Sequence, residues 1–449
     1  MSDIKIPYGA QSIIQALEDK GFEAYVVGGC VRDSLLGVAP KDWDICTSAI
    51  PEDVKKCFNG FRIIETGLKH GTVTIVIDDD SYEVTTFRTD GDYSDNRHPD
   101  NVSFVTTVTE DLSRRDFTIN AMAYSNTRGL IDPFDGQHDL LHETISCVGD
   151  PDDRFKEDAL RLMRALRFAS TYGFKISDKT SEAIHRNVER LDSIARERIN
   201  SELCKLICGK GVLDILLDYS DVIASVIPEI RPCIGFEQNS KYHCYNVYDH
   251  IAHSVSNYNG DDIVVKLALL LHDIGKPQCY SEDENGGHFY DHQKASCDIA
   301  DWVMYALRFD KHTHRDVTQL VFYHDDRIAP TPKSVKRWLN RLGEKQLHRL
   351  LRVKLADMLA HTEGTQIERV AECFSVRKIL NRVLQERSCF CLKDLAVNGN
   401  DMIDLGIPRG KNIGYALEKL LHKVIDGDIP NEKDKLISYA EEALIWIYQ

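Results

Sequence analysis

The sequence predicts an α+β protein, with a small mixed-sheet head over residues 1–145 followed by helical segments at 146–235, 236–360 and 361–449. Three observations lead there. Short apolar runs near 24–27, 42–47, 72–77 and 82–88 are separated by turn residues, as in a small sheet. Beyond about residue 150, apolar positions recur at helical spacing, as in 156–172, 178–191 and 196–208. At 449 residues the chain exceeds one ordinary domain.

Taken in order, a helix over 9–20 leads into the strand Ala24-Tyr25-Val26-Val27. Gly28-Gly29 then turns the chain into a helix that opens near Val31, a strand–turn–helix whose exposed backbone N–H groups can cradle phosphates. Asp42 and Asp44 follow, one residue apart on the next strand, so their carboxylates share a face and can hold Mg²⁺ between them. Glu83, in Tyr82-Glu83-Val84-Thr85-Thr86-Phe87-Arg88, alternates onto the same side. Two such acids alone would equally suit a solvated strand end. With the glycine turn and a third acid they match a two-metal site, where one ion activates an attacking hydroxyl and the other holds a leaving pyrophosphate. The polar stretch 90–105 reads as a loop, Arg114–Ala121 as helix, and Asp132-Pro133-Phe134-Asp135-Gly136 as a turn.

Composition narrows the class. The chain is 43% hydrophobic and 28% charged, with no apolar run near the roughly 18 residues of a membrane span. Its first ten residues do not form a secretory signal. Thirteen cysteines are scattered, and Cys389 with Cys391 is too sparse for a zinc cluster. The expectation is a cytoplasmic chain of reduced thiols, with no membrane association and no obligatory protein partner. A net charge of −16 argues against indiscriminate nucleic-acid binding, so an RNA partner needs a local basic track.

Four ordered motifs carry a resemblance. The run from Val26 to Thr47 resembles the signature of the class II tRNA nucleotidyltransferases, in the DNA polymerase β-like superfamily. Arg114-Arg115-Asp116-Phe117-Thr118-Ile119-Asn120-Ala121 is similar to their ribose-selecting motif, Asp132 to Gly136 to their hinge, and Glu157-Asp158-Ala159-Leu160-Arg161 to their base-reading motif. The resemblance continues more weakly through Glu197-Arg198. It implies a nucleotidyltransferase head with a helical neck and body. It implies that Gly28, Gly29 and Arg32 contact a triphosphate, and that Asp116 and Asn120, joined by Arg115, lie near the ribose. The implied reaction is template-independent addition of CMP, CMP and AMP to the tRNA 3′ end from CTP and ATP.

The base-reading motif has a physical rationale. Read as one helix, Asp158 and Arg161 are three apart and share a face. Cytosine and adenine each present an amino donor beside a ring-nitrogen acceptor; guanine and uracil present the reverse. A carboxylate that accepts beside a guanidinium that donates therefore admits C and A and rejects G and U. A misfit leaves buried polar groups unpaired, at about 1–3 kcal/mol each. The plainer account is an intrahelical ion pair. Arg164 and Arg167 extend the same stripe toward the triphosphate or the RNA end.

A second constellation lies downstream: His250, then His272-Asp273 closing the apolar run Leu267-Ala268-Leu269-Leu270-Leu271, then His292, His324 and Asp357. Imidazole with carboxylate suits divalent transition metals. The set resembles the HD phosphohydrolase superfamily over about 240–360. The resemblance implies a metal (Mn, Ni, Fe or Mg) on His250, His272, Asp273 and Asp357, and a second on His292 and His324. His243 and His253 compete with His250 for the first position, and Lys276 stands where it can meet phosphate. The expected chemistry is metal-assisted phosphoester hydrolysis, with a 2′,3′-cyclic or terminal phosphate on RNA as a suitable substrate.

For RNA contacts, Lys333, Arg337, Arg341 and Lys345 recur every four residues, and Arg409 and Lys411 flank glycines in the tail. Three rival functions remain at this stage. One is an A-adding enzyme or poly(A) polymerase, restricted through the loop at 90–105. His70-Gly71-Thr72-Val73-Thr74 and Arg97-His98-Pro99 look instead like members that add all three nucleotides. Another is a phosphohydrolase with a non-catalytic head, and the last an RNA-binding protein with both sites idle.

Overall fold

The computed structural model describes residues 4–91, 102–284 and 286–443. Arg97-His98-Pro99 and most of the loop at 90–105 lie outside the described residues. The chain is α+β and divides into two compact units, Met1–Arg231 and Pro232–Gln449.

The first unit is built on strands β1 (Ala24–Val27), β2 (Ile45–Thr47), β3 (Arg62–Ile64), β4 (Thr72–Ile77), β5 (Asp80–Thr86), β6 (Arg88–Asp90), β7 (Val102–Phe104), β8 (Ala123–Ser125) and β9 (Gly129–Ile131). Seven of them form one mixed sheet in the order β3-β4-β5-β2-β1-β8-β9, and β6 pairs with β7 separately. Within the seven, only β2 and β5 pair in parallel, starting from Ile45 opposite Val84. All four residues of β1 are buried, because both faces of the sheet are covered. Tyr25, Val27 and Cys46 pack with Phe87, Val108 and Leu112. The alternate residues face α1 (Tyr8–Glu18), which buries Ile13, Ile14 and Leu17. Burying each such side chain contributes about 1.5–3 kcal/mol.

Helices follow in order: α2 (Gly29–Leu35), α3 (Pro51–Cys57), α4 (Val108–Ser113), α5 (Gly136–Leu141), α6 (Pro151–Glu157), α7 (Leu160–Tyr172), α8 (Asp178–Asn187), α9 (Arg196–Ile207), α10 (Val212–Asp218) and α11 (Ser220–Val226). Four expectations are corrected here. Asp42 and Asp44 precede β2 instead of lying on a strand, although Val27 N–H still donates to the Asp44 carbonyl. The helix opens at Gly29, two residues before Val31. Arg114–Ala121 is not a helix: α4 ends at Ser113, and only Thr118–Asn120 makes a 3₁₀ turn. Its apolar residues alternate, Phe117, Ile119 and Ala121, which suits a buried irregular strand better than a helix face. Finally, 156–172 is broken at Asp158, whose backbone is extended (φ −140°, ψ 103°). Its carboxylate accepts the Leu160 N–H and so starts α7 anew.

The second unit is helical: α12 (Val247–Asn257), α13 (Ile263–Leu271), α14 (His292–Ala306), α15 (Lys311–Tyr323), α16 (Pro332–Met358), α17 (Ile367–Gln385), α18 (Gly399–Asp404), α19 (Lys411–Asp426) and α20 (Lys433–Ala443). α13 is apolar on nearly every side and buried from Val264 to Leu271, so it forms the centre. α16 is kinked at Gly343 (φ 76°, ψ 167°). The four-residue repeat of cations therefore does not run along one helix face: Lys333, Arg337 and Arg341 lie before the kink, Lys345 after it. All thirteen thiols are free. Among the described residues no helix is long and apolar enough to cross a membrane.

Candidate active sites

In the head, the parallel pairing of β2 with β5 sets the site. Asp44 stands one residue before the Ile45–Val84 pair, and Glu83 one residue before Val84, so the residue leading into β2 comes level with Glu83 on β5. Asp42, two residues earlier, is exposed beside them. Desolvation at the cleft raises the Asp44 carboxyl above the usual range; Arg115 pulls it down, while Glu83 and Asp42 push it up. Among the described residues none of the three acids has an ion-pair partner. Converging carboxylates without a cation fit a divalent-metal site.

Gly28 explains the approach from the other side. Its φ is +78°, and a Cβ there would lie 2.9 Å from the Arg115 guanidinium. A glycine thus lets Arg115, also held by Asp111 at 3.3 Å, close over the turn. Arg32 is buried from the opposite direction, stacked at 5.1 Å on both Phe168 and Tyr172. It donates to Asp33 and to the Asn120 side chain. Asn120 donates to Asp116 at 3.0 Å, and Arg164 donates to the other Asp116 oxygen at 2.9 Å. Arg32, Asn120 and Asp116 thereby join Arg164 of α7 in one buried network. Burial works against the Asp116 carboxylate, but Arg164 and Asn120 outweigh it and hold the group well below its ordinary range.

The base-reading residues differ from expectation. Asp158 pairs with Arg198 at 3.0 Å. Arg161 pairs with Glu157 at 2.6 Å and donates to the Arg114 carbonyl. Because of the break at Asp158 the two do not share a helix face, and the intrahelical pair does not form. Arg167 is drawn to Glu202 at 2.9 Å and lies 3.6 Å over the Phe168 ring, which Arg164 also faces at 5.4 Å.

In the second unit, helix ends bring six residues together. His250 lies on the buried face of α12; His272 and Asp273 close α13; His292 opens α14; His324 follows α15; Asp357 is near the end of α16. Gly275 sits behind them, where a Cβ would be 2.4 Å from the Ser296 backbone nitrogen, so only glycine lets α14 come this near. Asp273 is the pivot. Its Oδ2 is 3.4 Å from His250 and 3.3 Å from His272; its Oδ1 is 3.4 Å from His292 and 3.6 Å from His324. Asp357 Oδ1 closes the first group, 2.9 Å from His250 and 3.5 Å from His272. Lys276 reaches Asp273 at 2.7 Å. Burial opposes a charge on His272, yet Asp273 and Asp357 push the ring up to about 10. A buried cluster that demands positive charge this strongly is one that a divalent ion fits.

Beside this cluster lies a cavity of about 550 Å³ lined by His324, Asp357, Lys354, Arg327 and Arg369 among others. His253 is not part of the cluster; it stacks on Tyr245 at 4.0 Å. Two further histidines join it: His361, which the sequence reading did not name, and His243, read there as a rival to His250. His361 Nε2 is 3.4 Å from Asp357, and the His243 ring is 4.5 Å from that of His361. His361 stands four residues after Asp357, just past the end of α16.

Comparison with known proteins fits this geometry. Residues 24–146 match the Poly A polymerase head domain, 173–233 the "Probable RNA and SrmB- binding site of polymerase A", and 241–361 the HD domain. A CCA-adding enzyme of Levilactobacillus brevis is 35% identical over 96% of both chains. The chain belongs to the CCA-adding enzymes. A second member, from Lactobacillus delbrueckii subsp. bulgaricus, is also 35% identical over 96% of each chain. The crystal structure of the Bacillus stearothermophilus CCA-adding enzyme in complex with CTP covers 98% of both chains at 30% identity, with a TM-score of 0.72. The Thermotoga maritima enzyme complexed with tRNA shares the fold at 22% identity and a TM-score of 0.60.

Of the basic residues read as RNA contacts, Arg337 is tied to Asp426 at 2.8 Å, with Lys333 at 3.4 Å from the same carboxylate. Arg341 lies over Trp338 at 4.9 Å. Lys345 lines a shallow cleft with His348, Arg352 and Arg377. Arg409 and Lys411 are exposed at the start of α19.

Proposed function

We propose that Asp42, Asp44 and Glu83 hold Mg²⁺ and carry out the family's reaction, addition of CMP, CMP and AMP to the tRNA 3′ end from CTP and ATP. The single observation that carries this is the level pairing of Asp44 with Glu83 beside the Arg115-capped glycine turn. Bound Mg²⁺ lowers the pKa of the attacking 3′-hydroxyl and neutralises the leaving pyrophosphate. The chain's own part is positioning. Arg115 and the backbone at Gly28-Gly29 bind the triphosphate. Arg32 has five N–H donors, of which Asp33 and Asn120 engage only some. Asn120 and Asp116 set the ribose, held by Arg164. Asp158 and Arg161 accept from and donate to the base edge by exchanging their present partners Arg198 and Glu157. No protein nucleophile is needed, so positioning and electrostatic stabilisation supply the rate. Arg409 and Lys411 are the exposed cations available to the tRNA backbone. Wild-type protein, given tRNA lacking its 3′ CCA, should incorporate labelled nucleotide, and Asp44→Ala should not. Incorporation by the variant at the wild-type rate would reject the assignment.

The buried histidine cluster supports a second activity, hydrolysis of a phosphoester such as a 2′,3′-cyclic or terminal phosphate on RNA. His250, His272, Asp273 and Asp357 would hold one ion (Mn, Ni, Fe or Mg) and Asp273, His292 and His324 another. Lys354, Arg327 and Arg369 in the adjoining cavity supply the positive charge for a phosphate. Hydrolysis of bis-p-nitrophenyl phosphate with Mn²⁺ or Ni²⁺ tests it. Asp273→Asn should abolish the turnover; no turnover by wild type with any of these ions would refute it.

A further inference from the structure

We propose that His243 and His361, with Asp357 as a shared carboxylate, form a third divalent-cation subsite beside the two ion positions of the histidine cluster. The inference rests on reading that cluster as a metal centre. His361 lies just past the end of α16, and its Nε2 is 3.4 Å from Asp357 Oδ1. The His243 ring stands 4.5 Å from that of His361 and 5.0 Å from that of His250. Ligand atoms of these three imidazoles all lie within 4.8 Å of one another.

His243 Nδ1 is buried and has no hydrogen-bond partner. Leaving a buried polar nitrogen unpaired is unfavourable, and such groups in folded proteins are rare. An ion at this point gives that lone pair a partner. Neutral imidazole is the commonest protein ligand for such ions, and two imidazoles with a carboxylate suit transition metals with water in the remaining positions. His250 does not serve here, because its Nε2 already faces Asp273, Asp357 and His272. Asp357 can serve both sides. Its Oδ1 lies 3.4 Å from His361 and 2.9 Å from His250, so the same oxygen bridges the two positions.

The test counts ions on the full chain. In an Asp42→Ala/Asp44→Ala background, which removes the head's ions, the protein is dialysed against Mn²⁺ and the bound metal counted by mass spectrometry. The proposal expects three Mn²⁺ per chain. His361→Gln and His243→Gln should each leave two, and the two together should still leave two, since both remove the same ion. His361→Gln with His292→Gln should leave one. Two ions in the parent, or three retained in His361→Gln, would overturn the third subsite while leaving the cluster reading intact. No bound ion in the parent would overturn both. As a check on folding, Mn²⁺ should raise the Tm of His361→Gln, but by less than it raises that of the parent. An equal rise would count against the proposal.

Discussion

In the head the acids are exposed, two of them on the segment before β2 and the third, Glu83 in mid-β5, brought level by a parallel strand pair. In the second unit His250, His272 and Asp273 are almost wholly buried, the first on the face of α12 and the other two at the end of α13. The first arrangement suits ions that arrive with a triphosphate and leave with pyrophosphate, since water and substrate must reach the carboxylates. The second suits resident ions, because a buried set of imidazoles and carboxylates must find its charge balance inside the protein. In the second unit one acid, Asp273, is shared between two histidine pairs.

If the two sites are as separate as this contrast implies, the largest effects will fall on one activity at a time. Asp44→Ala should lower nucleotide incorporation by about three orders of magnitude or more, the scale of losing a metal-held transition-state contact. Asp273→Asn should leave tRNA tailing within about twofold of wild type while removing hydrolysis of the aryl phosphodiester. Loss of both activities from either change would show that the sites are coupled. Next in size is base choice. Arg161→Ala should erode the preference for CTP and ATP over UTP and GTP by about 5- to 150-fold, the equivalent of about 1–3 kcal/mol for an unpaired buried group. Arg198→Ala, which removes only the Asp158 partner, should cost much less selectivity. Competition assays with the four triphosphates separate these outcomes.

Stability sharpens the contrast further. Asp116 titrates below its ordinary range in the fold, so the unfolded chain takes up its proton first as pH falls. The stabilisation is therefore full above about pH 4 and is lost below it, toward the lower folded-state value. Asp116→Asn should cost about 3 kcal/mol at neutral pH, and urea melts should show that cost shrinking below about pH 4. A penalty that does not change with pH would mean that Arg164 does not stabilise the carboxylate. The smallest effect belongs to Arg337→Ala. Its charge is spent on Asp426 at an exposed site, so the KM for tRNA should change by less than about twofold. Lys411→Ala, which removes an exposed cation without an ion-pair partner among the described residues, should change it more.

The parts of the protein written in local pattern were legible in the sequence. The apolar run before His272 and the α+β division follow from hydrophobic periodicity, whereas Asp42 and Asp44, read as alternating on a strand, lie in the segment before β2. What was not legible depended on competition between groups distant in sequence. Phe117 and Ile119 are pinned by backbone bonds such as Thr118 N–H to the Ser146 carbonyl, so that stretch cannot coil into a helix. Asp158 could have been suspected, since an aspartate inside a helical run often caps a new start. That its partner is Arg198, forty residues on, could not be read from the run itself. His361 escaped notice because it falls just after the last HD ligand, and His253 looked eligible only because spacing does not say which side of a helix is buried.

The most direct measurement offers tRNA lacking its 3′ CCA to the protein with Mg²⁺ and CTP alone, ATP alone, and both. The account predicts two residues added from CTP, and three when both are present. Use of ATP only, and only on tRNA already ending in CC, would contradict it.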